Sequence, residues 1–186
     1  MSIGMKRGSV YLEEHQIEWE SAAEDTIQII KSLLNETAVD VQHIGSTSIK
    51  RIPAKPIIDI AVGVKDFDAV LLKKGNLEKA EIIFRLDERP EQLLFVKGDF
   101  EKDTRTHHIH VVLYGSKEWN DYINFRDYLN TNEEKSDEYA RLKLKLSLMY
   151  PTDRALYTEG KSELISNILS EALQWKLKNA TINSIK

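Results

Sequence analysis

A single acid interrupts an apolar, β-branched segment in the first third of the chain. Residues 57–64 read Ile-Ile-Asp-Ile-Ala-Val-Gly-Val, and the acid is Asp59. A segment this apolar is typical of a central strand covered on both faces, where an uncompensated carboxylate costs several kcal/mol. Asp59 therefore needs a cation, a metal ion or hydrogen-bond donors beside it. An ion pair with Lys55 would meet this need as well as a bound ligand would.

A turn of small residues precedes this segment. Residues 39–44 alternate apolar and polar side chains, the pattern of a half-buried strand, and the turn from Gly45 to Ser48 ends it. Backbone N–H groups and three successive hydroxyls are suited to holding a phosphate or a carboxylate. Lys50, Arg51 and Lys55 follow closely, and cations beside such a turn favour an anion site. The alternative is an ordinary turn at the end of a strand.

Histidines occupy three of the four positions from 107 to 110. Because side chains alternate between the faces of a strand, His108 and His110 share one face and His107 lies on the other. Two imidazoles in this spacing can share a metal ion or hold a phosphate, whereas a single strand histidine is usually a packed polar residue. The segment also approaches the histidine-triad signature, but Val112 stands at the third position. A histidine-triad hydrolase is therefore not expected.

Strand patterns fill the first two thirds of the chain, and helical patterns fill the last third. Apolar or alternating segments predict strands over about residues 39–44, 57–64, 80–86, 93–97 and 107–113. Helical spacing predicts helices over about residues 15–35, 67–74, 116–129, 134–150 and 164–173, with a break at Gly75-Asn76 and a stop at Pro151. This order predicts an α+β domain with a C-terminal helical cap.

Composition excludes several classes of function. The 186 residues include no cysteine, which excludes disulfides, thiolate catalysis and cysteine-ligated zinc. No apolar segment approaches the roughly 20 residues that span a bilayer, and no apolar region follows the basic N-terminus, so we expect a cytoplasmic protein without membrane insertion. A formal net charge of -4 gives no general attraction to DNA, so an anion site must depend on a local basic cluster.

Four segments, in their order and spacing, resemble the GrpB family of largely uncharacterised proteins. They are HIGSTS at 43–48, AKPIIDI at 54–60, HIHVV at 108–112 and FRDYL at 125–129, and the match extends over about residues 10–175. The family is placed in the nucleotidyltransferase superfamily. The resemblance therefore implies one domain over residues 1–186. It would comprise a nucleotidyltransferase-like small mixed β-sheet flanked by helices (about 10–115), a helical cap (about 116–178) and a polar tail (179–186).

The resemblance also implies a role for the turn in binding phosphate. In the superfamily the Gly-Ser turn holds the triphosphate of a nucleotide. Gly45, Ser46 and Thr47 are therefore expected, with Lys55, to bind a phosphorylated small molecule or nucleotide. Residues of the predicted cap would complete an anion pocket if the cap folds over the sheet, and the family pattern includes four of them: Arg126, Lys143, Tyr157 and Lys161.

The metal site that the resemblance implies is incomplete. Superfamily members bind two Mg²⁺ ions with paired acids, which correspond here to Asp59 and to position 61, but position 61 is Ala61. A later strand offers His108 and His110 where a third acid is expected. One carboxylate with two imidazoles suits Zn²⁺ or Mn²⁺ better than Mg²⁺.

Two functions stay open on this basis. The first is nucleotidyl or phosphoryl transfer, in which a metal on Asp59 and His110 polarises a phosphate. Ser46 and Lys55 would then orient the phosphate, and Arg126 would neutralise the developing charge. The second is a non-catalytic nucleotide-binding or regulatory module that has lost the standard two-metal site, and the alanine at position 61 favours this second function.

Overall fold

A mixed five-stranded sheet forms the centre of the fold. The computed structural model describes residues 3–86 and 89–184. The strands are β1 (Met5–Lys6), β2 (Ala38–Ile44), β3 (Ile58–Val64), β4 (Ile83–Arg85), β5 (Gln92–Lys97), β6 (Thr104–Arg105) and β7 (His107–Leu113). The sheet has the order β2-β3-β7-β5-β4, in which β3 and β7 run parallel and the other neighbours run antiparallel. Strands β1 and β6 pair separately.

Helices cover the sheet and make up the C-terminal third. They are α1 (Glu18–Leu34), α2 (Phe67–Leu72), α3 (Lys74–Lys79), α4 (Lys117–Thr131), α5 (Glu133–Met149), α6 (Arg154–Glu159) and α7 (Ser162–Ser184). Ser116 caps the N-terminus of α4, because its hydroxyl accepts a hydrogen bond from the backbone N–H of Trp119 at 3.2 Å. Asn132 and Asp153 cap α5 and α6 in the same way.

One face of the sheet packs on α1. The apolar residues of α1 recur at helical spacing and meet alternate residues of the central strands, in a cluster that includes Trp19, Ala23, Ile27, Ile30, Ile58, Ile60, Val62, Ile109 and Val111. Because strand side chains alternate, this packing turns Asp59 and Ala61 of β3 towards the opposite face.

The helices after residue 116 cover that opposite face. Ile44 and Ala61 pack with Val112 and Trp119. The segment after β2 is held by a second cluster, which comprises Ile49, Ile52, Tyr128, Leu129, Tyr139, Ile168 and Ala172. The Asn130 side chain on α4 also donates a hydrogen bond to the Ser48 carbonyl at 3.0 Å. The C-terminal helices therefore lie directly over the turn that follows β2.

The predicted α+β fold, a small mixed sheet flanked by helices with a C-terminal helical cap, is confirmed. The break between α2 and α3 lies before the predicted position. The chain leaves α2 at Lys73, whose side chain donates to the Leu34 carbonyl at 2.6 Å, so the break is fixed to the end of α1. Gly75-Asn76 lies inside α3 instead of ending a helix.

The predicted polar tail begins inside a helix. Helix α7 continues from Ser162 to Ser184, whereas the tail was expected from residue 179, and residues 185–186 lie outside the described residues. No glycine or proline follows Ser162, and each residue added to an existing helix gains a backbone hydrogen bond. No helix in the described ranges is both long and apolar enough to cross a membrane.

Candidate functional site

A cavity of about 250 Å³ lies between the turn after β2 and the C-terminal helices, and it is termed the turn pocket. It brings together most of the side chains that the sequence identifies: Gly45, Ser46, Lys55, Asp59, His108, His110, Lys143, Tyr157 and Lys161. Other side chains that the sequence patterns did not single out complete the lining: Ile57, Phe125, Tyr139, Arg154 and Thr158. Residues distant in the sequence therefore converge on one cavity.

Gly45 lets the turn pass directly beside Asp59. Its φ angle is +71°, in the left-handed region that glycine adopts without steric cost. Ile44, the preceding residue, pairs with Asp59 across β2 and β3. A Cβ atom on Gly45 would lie only 2.8 Å from the Cβ of Asp59. Both the backbone angle and this close approach require glycine.

Asp59 and two histidines form the base of the pocket. The Asp59 Oδ1 atom lies 3.2 Å from His108 Nδ1 and 3.8 Å from His110 Nε2. The third histidine, His107, contacts Thr26 of α1 at 3.2 Å, so the predicted alternation of faces is confirmed. Burial is the largest influence on the pKa of Asp59 and would raise it, but hydrogen bonds and charge from His108 and His110 together hold that pKa below its usual range.

Four basic side chains line the pocket with this carboxylate: Lys55, Lys143, Arg154 and Lys161. The Lys55 and Lys161 ammonium groups lie 5.2 Å and 4.3 Å from the centre of the Tyr157 ring. Among the described lining residues, Asp59 is the only acid. Because charges interact more strongly where water is partly excluded, the excess of positive charge favours an anionic ligand.

The pKa values of the three lysines in the pocket are all lowered. Burial, with help from Arg154 and Lys161, lowers the pKa of Lys55 to about 7. Burial lowers the pKa of Lys161 to about 8, although Asp59 opposes the change. The pKa of Lys143 falls well below its ordinary value for the same reasons, burial first and the neighbouring lysines second. A bound anion would stabilise the charged form of each lysine.

Two polar atoms of pocket-lining residues, the Tyr157 hydroxyl and His110 Nδ1, are buried and have no hydrogen-bond partner in the described part of the chain. An unsatisfied buried polar group costs about 1–3 kcal/mol. Burial also raises the pKa of Tyr157, and it raises the pKa of Tyr139 to about 12, so both tyrosines remain donors at neutral pH.

Thr47 and Arg126 do not line the turn pocket, contrary to their predicted roles. The Thr47 hydroxyl is directed to His43 Nε2 at 2.9 Å. The Arg126 guanidinium donates to Gln42 Oε1 at 2.9 Å and to the His43 carbonyl at 3.0 Å. Arg126 therefore attaches α4 to β2, and Phe125, the preceding residue on α4, reaches the pocket instead.

The pocket does not fit a metal centre. No three His, Cys, Asp or Glu side chains within residues 3–86 and 89–184 are arranged to hold a metal ion. His108 already engages the Asp59 carboxylate, and four cations share the cavity. At position 61, Ala61 is fully buried in the cluster that contains Trp119, so the cap occupies the space of a second acid. The site for Mn²⁺, Zn²⁺ or Mg²⁺ on Asp59, His108 and His110 stays a prediction that this geometry does not support.

One signal in the sequence could have identified part of the missing lining. Arg154, Tyr157, Thr158 and Lys161 are spaced at three, four and seven residues, which places them on one side of a helical turn. Tyr157 and Lys161 are predicted from the family pattern to line the pocket, whereas Arg154 and Thr158 are not. Tyr139 carries no comparable signal, because its apolar helical position also suits an ordinary core residue.

Comparisons with known proteins agree with the four sequence segments. Residues 9–171 match the family described as "GrpB protein". The "Glutamate-rich protein GrpB" of Alkalihalophilus pseudofirmus is 37% identical over 172 residues, which cover 91% of this chain and 99% of that protein. The crystal structure of a conserved GrpB protein from Enterococcus faecalis has a TM-score of 0.83 at 30% identity, covering 90% of this chain and 99% of that one.

A weaker likeness is to a crystal structure of the Cid1 poly(U) polymerase with MgGTP bound. Its TM-score is 0.49 at 9% identity, over 70% of this chain and 42% of that one, and nothing about the ligand of this protein follows from it. The family match and the close relatives, in contrast, extend over nearly the whole chain. The chain belongs to the GrpB protein family.

Proposed function

We propose that this protein binds a phosphorylated ligand of the nucleotide type and holds its phosphates in the turn pocket. The observation that carries the proposal is the presence of four basic side chains around one cavity, with a single carboxylate among the described lining residues. Lysine and arginine are the usual partners of phosphate, because they neutralise its charge and donate hydrogen bonds to its oxygens. Burial is the largest cause of the lowered pKa values of Lys55 and Lys161, and a bound anion would stabilise the charged form of both.

Uncharged donors support the same ligand. The Gly45-Ser46 turn, Tyr139 and His110 all line the cavity. Phosphate oxygens accept several hydrogen bonds each, so a multidentate anion would engage donors that a small monovalent ion would leave unpaired.

The nucleotide type rests on the resemblance to the nucleotidyltransferase superfamily, in which a Gly-Ser turn holds a triphosphate. Here the turn follows β2 and lies against Asp59 on the neighbouring strand β3 of a small mixed sheet. This arrangement is the one that the resemblance implies. A regulatory or carrier role without chemistry is sufficient to explain it, and Ala61 favours that role over two-metal catalysis.

The second candidate function is transfer of the bound phosphoryl or nucleotidyl group. The hydrogen bond between Asp59 and His108, at 3.2 Å, favours it. A carboxylate that orients an imidazole beside a bound phosphate is an arrangement used to remove a proton from an attacking hydroxyl. Incubation with nucleoside triphosphates and hydroxyl acceptors, with and without added Mg²⁺, Mn²⁺ or Zn²⁺, tests this candidate. Product formation that disappears in His108→Asn would support transfer, and absence of product under all conditions would leave binding alone.

Calorimetric titration with inorganic tripolyphosphate and with ATP tests the binding proposal. Lys161→Gln removes one pocket cation, and we expect its dissociation constant for tripolyphosphate to rise at least about tenfold, equivalent to about 1.4 kcal/mol. Lys50→Gln is the matched control, because the Lys50 side chain is 72% exposed and lies outside the pocket. We expect less than about a twofold change from it. Equal losses in both variants, or no binding by the unmodified protein, would overturn the proposal.

A further inference from the structure

A second cavity lies beside the turn pocket. It has a volume of about 300 Å³ and shares three lining residues with the turn pocket: Gly45, Phe125 and Tyr139. The shared residues place the two cavities side by side, so one ligand with two chemically different halves would occupy both by passing along this wall. The second cavity is termed the aromatic cavity.

Rings and aliphatic side chains supply most of the surface of the aromatic cavity. Phe125 and Tyr139 meet edge to face, with centroids 5.4 Å apart and an interplanar angle of 88°. Tyr122 lies 5.2 Å from the His110 ring, and its hydroxyl donates to Gln92 Oε1 at 3.0 Å. Rings held by such contacts present fixed apolar surfaces, against which a planar aromatic group packs well.

The polar groups of the aromatic cavity have the opposite charge to those of the turn pocket. The described lining of the aromatic cavity includes three carboxylates, Glu91, Glu118 and Asp121, and one cation, Arg89. Asp121 also forms an ion pair with Lys117. A region rich in carboxylates repels phosphate but accepts hydrogen bonds from amino groups.

We propose that the aromatic cavity holds a nucleobase with an amino group where hypoxanthine or uracil carries a keto group, so that the ligand is an adenine or cytosine nucleotide with its phosphates in the turn pocket. This inference rests on the proposed function and extends it to the half of the ligand that carries no phosphate. Carboxylates accept hydrogen bonds from an exocyclic amino group in the way that glutamate and aspartate recognise cytosine N4 in nucleic acids. A keto group at the same position would face carboxylate oxygens with its own lone pairs and would be disfavoured.

A phosphorylated sugar without a base does not account for this cavity. Its hydroxyls would leave the Phe125 and Tyr139 rings and the aliphatic side chains of Ile165 and Leu169 without an apolar partner. The turn pocket alone is smaller than the roughly 300 Å³ at which typical ligand sites begin. The two cavities together are large enough for both halves of a nucleotide.

Matched pairs of nucleotides test the assignment by calorimetry on the full chain. ATP and ITP differ in the base chiefly by an amino group against a keto group, and CTP and UTP differ in the same respect. We expect ATP or CTP to bind at least about tenfold more tightly than inorganic tripolyphosphate. The amino form should also bind at least about fivefold more tightly than its keto partner. Equal affinities within both pairs would overturn the assignment to an amino-bearing base.

Variants of α7 separate this inference from the proposed function. Leu169→Trp fills the aromatic cavity, whereas Leu173→Trp places the same ring on the same helix at a residue that lines neither cavity. We expect Leu169→Trp to remove the advantage of the nucleotide while tripolyphosphate binds as before, and Leu173→Trp to change neither. If the unmodified protein does not bind tripolyphosphate, the proposed anion site in the turn pocket is wrong. Nucleotides that bind no more tightly than tripolyphosphate, with the turn pocket intact, would refute the aromatic cavity alone.

A second variant covers the case in which Leu169→Trp does not fold. Glu118→Ala and Asp121→Ala each remove one partly exposed carboxylate from the cavity wall. We expect at least one of them to reduce the ratio of ATP to ITP affinity to about one without weakening tripolyphosphate. An unchanged ratio in both variants would contradict recognition of the amino group by these carboxylates.

Discussion

Two positions on the same face of β3 have opposite environments. Asp59 lies beside Gly45 at the base of a cavity lined by cations. Ala61, two residues further along the strand, has no exposed surface and packs beneath Trp119 of α4. Both side chains leave the sheet in the same direction, so the sheet alone would present them equally. The helical cap decides which of them is accessible, and it leaves one acid among cations where a pair of acids would hold metal ions.

The substitution Ala61→Asp tests this difference and should cause the largest loss of stability. It introduces the second acid that the resemblance to nucleotidyltransferases implies, but it places a carboxylate in an apolar cluster with Ile44, Val112 and Trp119. We expect the free energy of unfolding at neutral pH to fall by at least about 3 kcal/mol, because an unpaired buried charge is strongly destabilising. Urea unfolding followed by circular dichroism measures this change.

The control for this variant separates charge from volume. Ala61→Asn introduces a side chain of similar size without a charge, and its cost should be smaller. Burial raises the pKa of the new carboxyl above its unfolded value of about 3.9, so the penalty of Ala61→Asp should be relieved as the pH falls through the folded-state pKa. If Ala61→Asp were as stable as the unmodified protein and bound Mg²⁺, the cap would not exclude a second acid.

A smaller loss of stability should follow from Gly45→Ala, which crowds Asp59. Gly45→Ala forces a non-glycine residue into a φ of +71° and brings its Cβ against Asp59. A non-glycine residue at this φ with a ψ of -170° costs about 1–3 kcal/mol, and the contact with Asp59 adds to it. Thermal and urea unfolding measure the loss.

Gly75→Ala is a control that should raise stability where Gly45→Ala lowers it. Gly75 lies inside α3, and a Cβ added there meets no atom within 4 Å. Alanine in a helix interior is favoured over glycine by about 0.5–1 kcal/mol, so this variant should be slightly more stable than the unmodified protein. A Gly45→Ala variant that is as stable as Gly75→Ala would show that the turn has room to move away from Asp59.

The Asp59 end of this comparison could be predicted from the sequence because its signals are local. A strand, a Gly-Ser turn and a second strand with one acid determine how Gly45 and Asp59 meet. The period of two along β7 likewise places His108 and His110 on the side of the sheet that faces the pocket. These inferences need only strand geometry and neighbouring pairing, and strand geometry is readable from residue type and spacing.

The side chains of the helical cap that face the pocket could not be predicted in the same detail, because they depend on how α4 and α5 rotate against the sheet. Arg126 and Phe125 are neighbours on α4, but only Phe125 reaches the pocket, whereas Arg126 donates to β2. One residue along a helix changes direction by about 100°, so a small error in the docking of a helix exchanges which side chain faces the site. The burial of Ala61 under Trp119 is likewise a contact between distant segments that no local pattern records.

The substitution Asp59→Asn should sharpen the distinction between an anion pocket and a metal site. It removes the one negative charge among the described residues of the pocket and retains a side chain of the same size. We expect the dissociation constant for tripolyphosphate to fall by up to about tenfold, because four cations then act on the anion without an opposing carboxylate. Calorimetry without added metal measures the change. If Asp59 held a metal ion that bridges to phosphate, the same substitution would weaken binding instead, so the sign of the change distinguishes the two sites.

The smallest predicted effect is a dependence of anion affinity on pH. Lys55 and Lys161 titrate with pKa values of about 7 and about 8 in the free protein. A bound anion raises both values, so binding is favoured where the lysines are already protonated and weakens as the pH rises through the free-protein values. Sulfate is a suitable probe because its own charge is constant in this range. We expect its affinity to fall by about threefold to fivefold between about pH 7 and about pH 9.

Arginine variants identify the groups responsible for this dependence. Lys55→Arg and Lys161→Arg keep a positive charge at each position, and the guanidinium stays protonated throughout the range. The double variant should therefore bind sulfate with nearly the same affinity at both pH values, whereas Lys50→Arg outside the pocket should retain the dependence of the unmodified protein. A dependence that survives in the double variant would assign the titration to another group, such as Lys143, whose pKa is also lowered by burial. The turn pocket would then take its pH response from the buried lysine on α5 rather than from Lys55 and Lys161.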